Sequence, residues 1–375
     1  MRIGIVVRSL ERGGAERQAA ATAAELARRG HEVDLLTFHG GDAYRDVLGT
    51  DVAVAVLADG GRWRSPLAFA RWVRRARADA VLAYVAGPNL VSLLAHLARP
   101  RPRIIWGIRT GEARAEDATR LGRLVARLEP LLSRGADLAV ANSCDGRRVA
   151  LERGFRAPVI VVPNGFDVDR WMPMPSERVP ARLRFGVDDD RSVVVRVARI
   201  HPCKGHEVLL EAHARVVASL ASEGRPRPVL VVAGRGDRSR LEALAARLGI
   251  AEDVRWLDEV DDLRPIYAAA DLAVSSSSYA EAFPNVIGEA MASGVPSVGT
   301  DLGETGRMIG DRSRVVPPGD VGALADAMER LVRMDRAERV ALGARDRRRI
   351  VEELSVVALG DRVEELLEEL LGGGA

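Results

Sequence analysis

The chain has 375 residues, a length that predicts two or perhaps three domains. Hydrophobic residues make up 47% and charged residues 29%, a globular balance that excludes disorder, collagen-like repeats and a disulfide scaffold. The 55 basic and 53 acidic residues leave a net charge of +2, too little to argue for nucleic acid as a partner.

Two cysteines, Cys144 and Cys203, lie far apart without a metal-ligand pattern, so a reducing cytoplasm is expected. The opening MRIGIVVRSLERGG breaks after a short apolar run and reads as neither a secretory signal nor a membrane span. Lys204 is the sole lysine, so arginine supplies 54 of the 55 basic residues. Strong codon bias explains the trend. Because an ammonium and a guanidinium are not interchangeable, the exception invites a functional reading.

RIGIVV (2–7) predicts a strand, then a glycine-containing loop and an amphipathic helix over 15–29. Strands follow at 31–38, 52–57, 80–85, 103–108, 137–142 and 159–164, with helices over 66–77, 88–98 and 118–134. Short apolar strands separated by helices imply a parallel sheet covered on both faces. The segment 166–190 carries three prolines and several acidic residues without a clear period, and reads as a linker. Alternation restarts with strands at 192–199, 228–234, 254–260, 271–277 and 295–300, and helices over 206–221, 238–248, 262–269 and 285–293. A VVPPGD turn leads to helices 320–333, 336–353 and 355–371, the last with Val363, Leu366, Leu367, Leu370 and Leu371 on one stripe. The expected organisation is a doubly wound domain over 1–165, a linker over 166–190, a second doubly wound domain over 191–354, and a helix over 355–375. Residues 61–100 hold seven arginines and one aspartate, with Trp63, Phe69 and Trp72 among them. That pattern fits either a solvated face with core aromatics or contact with an anionic membrane surface.

Gly13 and Gly14 follow the first strand, where glycine lets a ligand approach the backbone and a helix N-terminus favours anions. Neither GxGxxG nor GxxxxGK[ST] is present there. The stretch from Arg196 through Arg199, Lys204 and Gly205 to His206 sits past the first strand of the second half, at the carboxyl end where open α/β sheets bind ligands. Arg199 and Lys204 either clamp a diphosphate across this loop or pair with nearby carboxylates. Ser275 to Glu289 contains Glu281, Phe283, Pro284, Asn285, Val286 and Glu289. Pro284 suits the first turn of a helix whose bare N–H groups would seat an anion. One glutamate can then reach a sugar and the other a ribose, unless both serve only capping and solvation. His39, after the second strand, reads as surface or as an acceptor contact.

The two glutamates separated by seven residues, the R…KG loop, the Gly234-Arg235-Gly236 turn, GGAER, PNG at 163–165 and VVPPGD together resemble the retaining glycosyltransferases of family 4. The resemblance spans nearly the whole chain. It implies the GT-B fold, two facing Rossmann-like doubly wound domains, with acceptor in the N-terminal domain and nucleotide sugar in the C-terminal one. It implies a retaining hexosyltransferase with a nucleoside-diphosphate sugar as co-substrate, UDP- or GDP-linked, a hydroxyl acceptor and neither cofactor nor metal. Arg199, Lys204 and Glu281 would then be catalytic. The donor would touch Gly13, Gly14, Arg199, Lys204, Gly234, Glu281, Phe283, Pro284, Asn285, Val286 and Glu289. A histidine usual in the N-terminal domain is absent, and Asn89 or Arg109 stands at that place as an acceptor contact. Asp258 replaces a usual glycine near the base pocket. The expected setting is cytoplasmic, with peripheral membrane contact as an option. A nucleotide-sugar epimerase of similar fold and a non-catalytic nucleotide-sugar-binding subunit remain the alternatives.

Overall fold

Apolar runs such as VAVAV and VLVVA lack the alternation of a half-solvated strand, so they are satisfied only with both faces covered. The computed structural model covers them in that way; it describes residues 1–11, 13–57, 65–98, 100–109 and 120–372. The chain divides into two units, Met1–Gly165 with Leu354–Ala375, and Phe166–Glu353.

The first unit contains β1 (Arg2–Val7), α1 (Gly14–Arg28), β2 (Glu32–Thr37), α2 (Arg45–Leu48), β3 (Val52–Val56), α3 (Ser65–Ala76), β4 (Ala80–Tyr84), α4 (Ala86–Ser92), β5 (Arg103–Ile108), α5 (Arg120–Leu132), β6 (Leu138–Ala141), α6 (Cys144–Glu152) and β7 (Val159–Val161). Its sheet runs β3-β2-β1-β4-β5-β6-β7, every neighbour parallel. Alternation along β1 divides the core: Ile3, Ile5 and Val7 pack with Ala19, Leu26 and Leu35 on one face, while Val6 packs with Phe69, Val81 and Trp106 on the other.

The second unit contains α7 (Arg178–Arg184), β8 (Val193–Val197), α8 (His206–Ser222), β9 (Val229–Ala233), α9 (Ser239–Arg247), β10 (Val254–Leu257), α10 (Arg264–Ala269), β11 (Leu272–Ser275), α11 (Asn285–Ala292), β12 (Ser297–Thr300), α12 (Thr305–Ile309), β13 (Val315–Val316), α13 (Val321–Arg333) and α14 (Arg336–Glu353). Its sheet runs β10-β9-β8-β11-β12-β13, again parallel throughout. In both sheets the chain leaves the central strand in one direction and returns on the other side, which opens a crevice at the carboxyl ends of β1 and β4, and of β8 and β11. Helix α15 (Val356–Gly372) rejoins the first unit, burying Leu359, Val363 and Leu367 in its core, with Leu366 and Leu370 partly covered; Leu371 stays at the surface.

Several sequence expectations need correction. The 166–190 segment is more than a connection: it belongs to the second unit and carries α7, whose Arg178 and Arg182 bind Asp271 at 2.8 and 3.1 Å. Arginines rather than aliphatic residues anchor that helix, so it has no apolar period. The 88–98 helix begins earlier and ends in a 3₁₀ turn over Leu93–Leu97. VVPPGD starts with β13, two residues paired to β12, not with a bare turn. In α3 the burial agrees with the core-aromatic reading, one of the two left open: Phe69 is fully buried, and Trp72 donates to Asp34 at 2.7 Å. Trp63 lies outside the described residues. Among the described residues no helix is long and apolar enough to cross a membrane.

Candidate active site

Four loops of the second unit converge beyond the carboxyl ends of β8, β9, β11 and β12. After β8 the chain passes Arg199 and makes a 3₁₀ turn over Pro202–Lys204, capped by His201, whose Nδ1 accepts from the Cys203 amide. Gly205 then takes a left-handed φ of +61°, and a Cβ there would overlap the Ser276 carbonyl oxygen. Gly234 has φ +153°, where a Cβ would overlap the Ala198 carbonyl oxygen beside Arg199. Only glycine permits these approaches, which draw the Arg199–Lys204 loop against the ends of β9 and β11. The Ser278 amide donates to the Cys203 carbonyl at 2.8 Å, Thr300 Oγ1 to the Ser277 carbonyl at 2.7 Å, and the Glu304 amide to the Ala282 carbonyl at 3.0 Å.

Within this frame Lys204 Nζ and Glu281 Oε2 lie 2.7 Å apart, both largely covered. Ser277 Oγ donates to the same carboxylate oxygen at 3.0 Å. Ala280, at φ +58°, turns the chain immediately before Glu281, a strained conformation for a residue with a Cβ. Lys204 is thus paired with a carboxylate that is itself a candidate site residue. Arg199 is exposed and makes no ion pair among the described residues, and its carbonyl accepts from His206 Nε2 at 3.0 Å. His206 is buried beside Arg196 and Lys204, and burial first, then those cations, push its pKa down to about 4. It is a neutral support for the Arg199 loop.

Pro284 is the N-cap of α11 rather than a member of its first turn, and no side chain caps this helix. Uncapped first-turn amides and the positive end of the helix favour an anion. Phe283 points inward, its ring stacked on Phe166 at 6.0 Å, while Asn285 and Val286 remain partly exposed. Glu289 is fully buried, with the Tyr267 hydroxyl 3.3 Å from Oε2. Glu289 thus lies within α11 without surface exposed to solvent. Asp258 is exposed and pairs with Arg238 at 3.2 Å.

Sequence reasoning gave no role to the residues beneath the site. Arg196 is 1% exposed and donates to the Lys204 carbonyl at 2.9 Å, Ser275 Oγ at 3.2 Å and Ser277 Oγ at 3.4 Å. The signal was present: an arginine interrupts the otherwise aliphatic VVVRV of a central strand, and a buried charge demands partners.

In the first unit, Gly13 caps α1 without a side-chain bond; Tyr44 Oη both accepts from its amide and donates to its carbonyl, each at 3.0 Å. Gly14, the first residue of α1, is exposed, and His39 is half-buried with its amide bound to the Arg8 carbonyl. Asn89 does not present itself to an acceptor: it is fully buried and donates to Glu129 at 2.9 Å. Burial raises the pKa of Glu129, and this pair ties α4 to α5. Arg109 lies over the Tyr84 ring at 4.6 Å and donates to Asn164 at 2.7 Å, its pKa lowered by burial. Val85, β-branched at φ +66°, is the strained residue at the end of β4.

Two family models match this chain: Glycosyltransferase Family 4 over residues 12–170, and Glycosyl transferases group 1 over 191–334. The chain belongs to the family 4 glycosyltransferases. This family member is 40% identical to the D-inositol 3-phosphate glycosyltransferase of Geodermatophilus obscurus over 177 residues, 45% of this chain and 39% of that protein. Its identity to the phosphatidyl-myo-inositol mannosyltransferase of Mycobacterium leprae is 35%, covering 58% and 56% of the two chains. To the lipopolysaccharide core biosynthesis glycosyltransferase LpsE of Rhizobium meliloti it is 28%, covering 84% and 89%. The chain spans about half the length of the first curated relatives it matches. Among solved structures, Anabaena HepE in complex with UDP and glucose superposes with a TM-score of 0.81 at 23% identity, covering 98% of this chain and 100% of that one. At that identity the likeness concerns the fold, which is GT-B, with one Rossmann-like unit in each half of the family member.

Proposed function

We propose that the protein is a retaining glycosyltransferase that moves a hexose from a nucleoside-diphosphate sugar, UDP- or GDP-linked, to a hydroxyl acceptor. The observation that carries this reading is the gathering of Lys204, Glu281, the Arg199 loop and an uncapped α11 N-terminus at one sheet end. When the glycosyl–phosphate bond breaks, the leaving diphosphate gains negative charge and the anomeric carbon gains positive charge. Arg199, Lys204 and the α11 amides are preorganised for the first, Glu281 for the second, and Gly234 lets the Arg199 loop close on the phosphates. Phe283 to Val286 shape the amide-bearing turn. The names of the relatives favour an inositol-containing or glycolipid acceptor over a soluble sugar.

A thermal-shift screen against UDP-, GDP- and ADP-sugars tests the donor. The matching nucleotide sugar at a hundred times its Kd stabilises by about 2.7 kcal/mol. Lys204→Arg, which keeps the charge but changes its shape, is expected to lose at least about tenfold in turnover, roughly 1.4 kcal/mol. No stabilisation by any nucleotide sugar would overturn the reading. Stabilisation without turnover would favour a binding subunit.

We propose a membrane-facing surface on α5 rather than α3. Leu124, Leu128 and Leu131 are exposed at helical spacing, with Arg123 and Arg127 exposed beside them. A basic helix with an unburied leucine stripe suits an anionic bilayer surface. Sedimentation with anionic vesicles should fall off with salt and be lost in Leu124→Glu/Leu128→Glu. A wild-type chain that stays in the supernatant at low salt would refute the contact.

A further inference from the structure

Arg196 is a poor choice for stability alone. It lies near the carboxyl end of a central strand with 1% of its surface exposed, and its Nε finds no hydrogen-bond partner among the described residues. A buried ion of this kind is often matched or bettered by an apolar residue of similar volume, so stability does not explain its presence. Its bonds point to another task. Nη2 donates to the Lys204 carbonyl, which also accepts from Ser276 Oγ at 3.1 Å. Nη1 reaches Ser275 Oγ and, at 3.4 Å, the Val274 carbonyl. Nη2 also donates to Ser277 Oγ at 3.4 Å, and that hydroxyl donates its own hydrogen bond to Glu281 Oε2. One guanidinium therefore grips the backbone of Lys204 and the hydroxyl that orients Glu281.

We infer that Arg196 is a positioning residue that sets the separation and aim of Lys204 and Glu281, coupling the phosphate cation to the sugar carboxylate through Ser277. This deepens the glycosyltransferase reading and rests on it. Arginine suits the task because its planar fork holds several acceptors in fixed directions, which lysine's single ammonium does not. Burial draws the Arg196 pKa down to about 10 and the nearby Glu281 carboxylate opposes that fall, so the side chain stays cationic near neutral pH.

The test uses the full chain with UDP and GDP titrated calorimetrically, donor turnover measured in parallel, and thermal unfolding as the check on folding. Arg196→Met should stay folded with a Tm close to wild type, yet lose at least about tenfold in nucleotide affinity and more in turnover. Arg196→Lys, which restores charge but not the fork, should recover only part of the affinity. Ser277→Ala interrupts the link to Glu281 while leaving the grip on Lys204, so it should lower kcat and spare nucleotide affinity. A purely structural role would lower Tm in all three variants and shift affinity and turnover together. Wild-type affinity in folded Arg196→Met would overturn the inference. If that variant does not fold, wild-type kcat in Ser277→Ala overturns it instead. Lys204→Met separates the two levels. If wild type binds nucleotide and Lys204→Met does not, the functional reading stands whatever Arg196 does; if wild type binds neither nucleotide, both fall.

Discussion

Glu281→Gln is expected to bind a free nucleoside diphosphate more tightly than the wild-type chain while losing most of its turnover. The reason is the 2.7 Å contact between Glu281 and Lys204. A carboxylate there competes with phosphate for the ammonium and repels the diphosphate directly. Two charges about 4 Å apart near a protein surface interact by roughly 4 kcal/mol before screening and rearrangement. A net gain of about threefold to tenfold in affinity is the surviving part. From the roles of the two glutamates alone, an unchanged affinity would be expected for Glu281→Gln and a weakened one for Glu289→Gln; the ion pair revises the first. Turnover moves the other way. The amide no longer balances positive charge at the anomeric carbon, and loss of one preorganised transition-state contact costs roughly 10²–10³ in kcat. Calorimetry with the nucleotide product and a turnover assay read the two effects separately. Equal falls in affinity and kcat would show that the pair only shapes the loop.

The fold was legible because both sheets are parallel and buried. Runs such as IIWGI and VVVRV announce central strands, and the helices between them carry apolar periods. What escaped was held by polar residues. Helix α6, CDGRRVALE, is short and polar and depends on Ser143 accepting from the Gly146 amide at 2.8 Å. Helix α7 depends on Arg178 and Arg182 finding Asp271, 93 and 89 residues away. Neither interaction has a period to read. The same division applies to the site. Arg199, Lys204 and Glu281 were visible as charges on loops past strand ends. The Lys204–Glu281 pair was not, since spacing in sequence cannot say whether two opposite charges meet each other or a ligand. Asn89 shows the reverse error: a polar residue near a strand end looked available, yet its amide is spent on Glu129.

Acidification from pH 6.5 toward 4 should destabilise the second unit by several kcal/mol, with two histidines as the main cause. His206 and His213 are buried, and burial, as the largest cause in each, lowers their pKa values to about 4. Neighbouring cations add to it: Arg196 and Lys204 around His206, Arg191 and Arg227 around His213. The unfolded chain protonates near 6.5, whereas the folded chain resists until about 4. Between those values the unfolded state holds more protons, so stability rises with pH across the window and is lost as pH falls. Each histidine supplies about 3 kcal/mol over the full interval, on the basis of 1.36 kcal/mol per pKa unit. Domains are commonly stable by only 5–15 kcal/mol, so the pair together can use up much of the margin. Urea midpoints should change little between pH 7.5 and about 6.5 and then drop steadily toward pH 5 for the wild-type chain. His213→Leu removes one protonation site without exposing its pocket, and its midpoint should fall about half as steeply. Identical slopes in the two proteins would remove His213 from the account. His206 has a further consequence, because its Nε2 holds the Arg199 carbonyl. A proton added to that ring places a third positive charge among Arg196 and Lys204. The Arg199 loop should therefore loosen only as pH nears 4, where the folded ring takes its proton, and nucleotide affinity should decline there, after the urea midpoint has begun to fall.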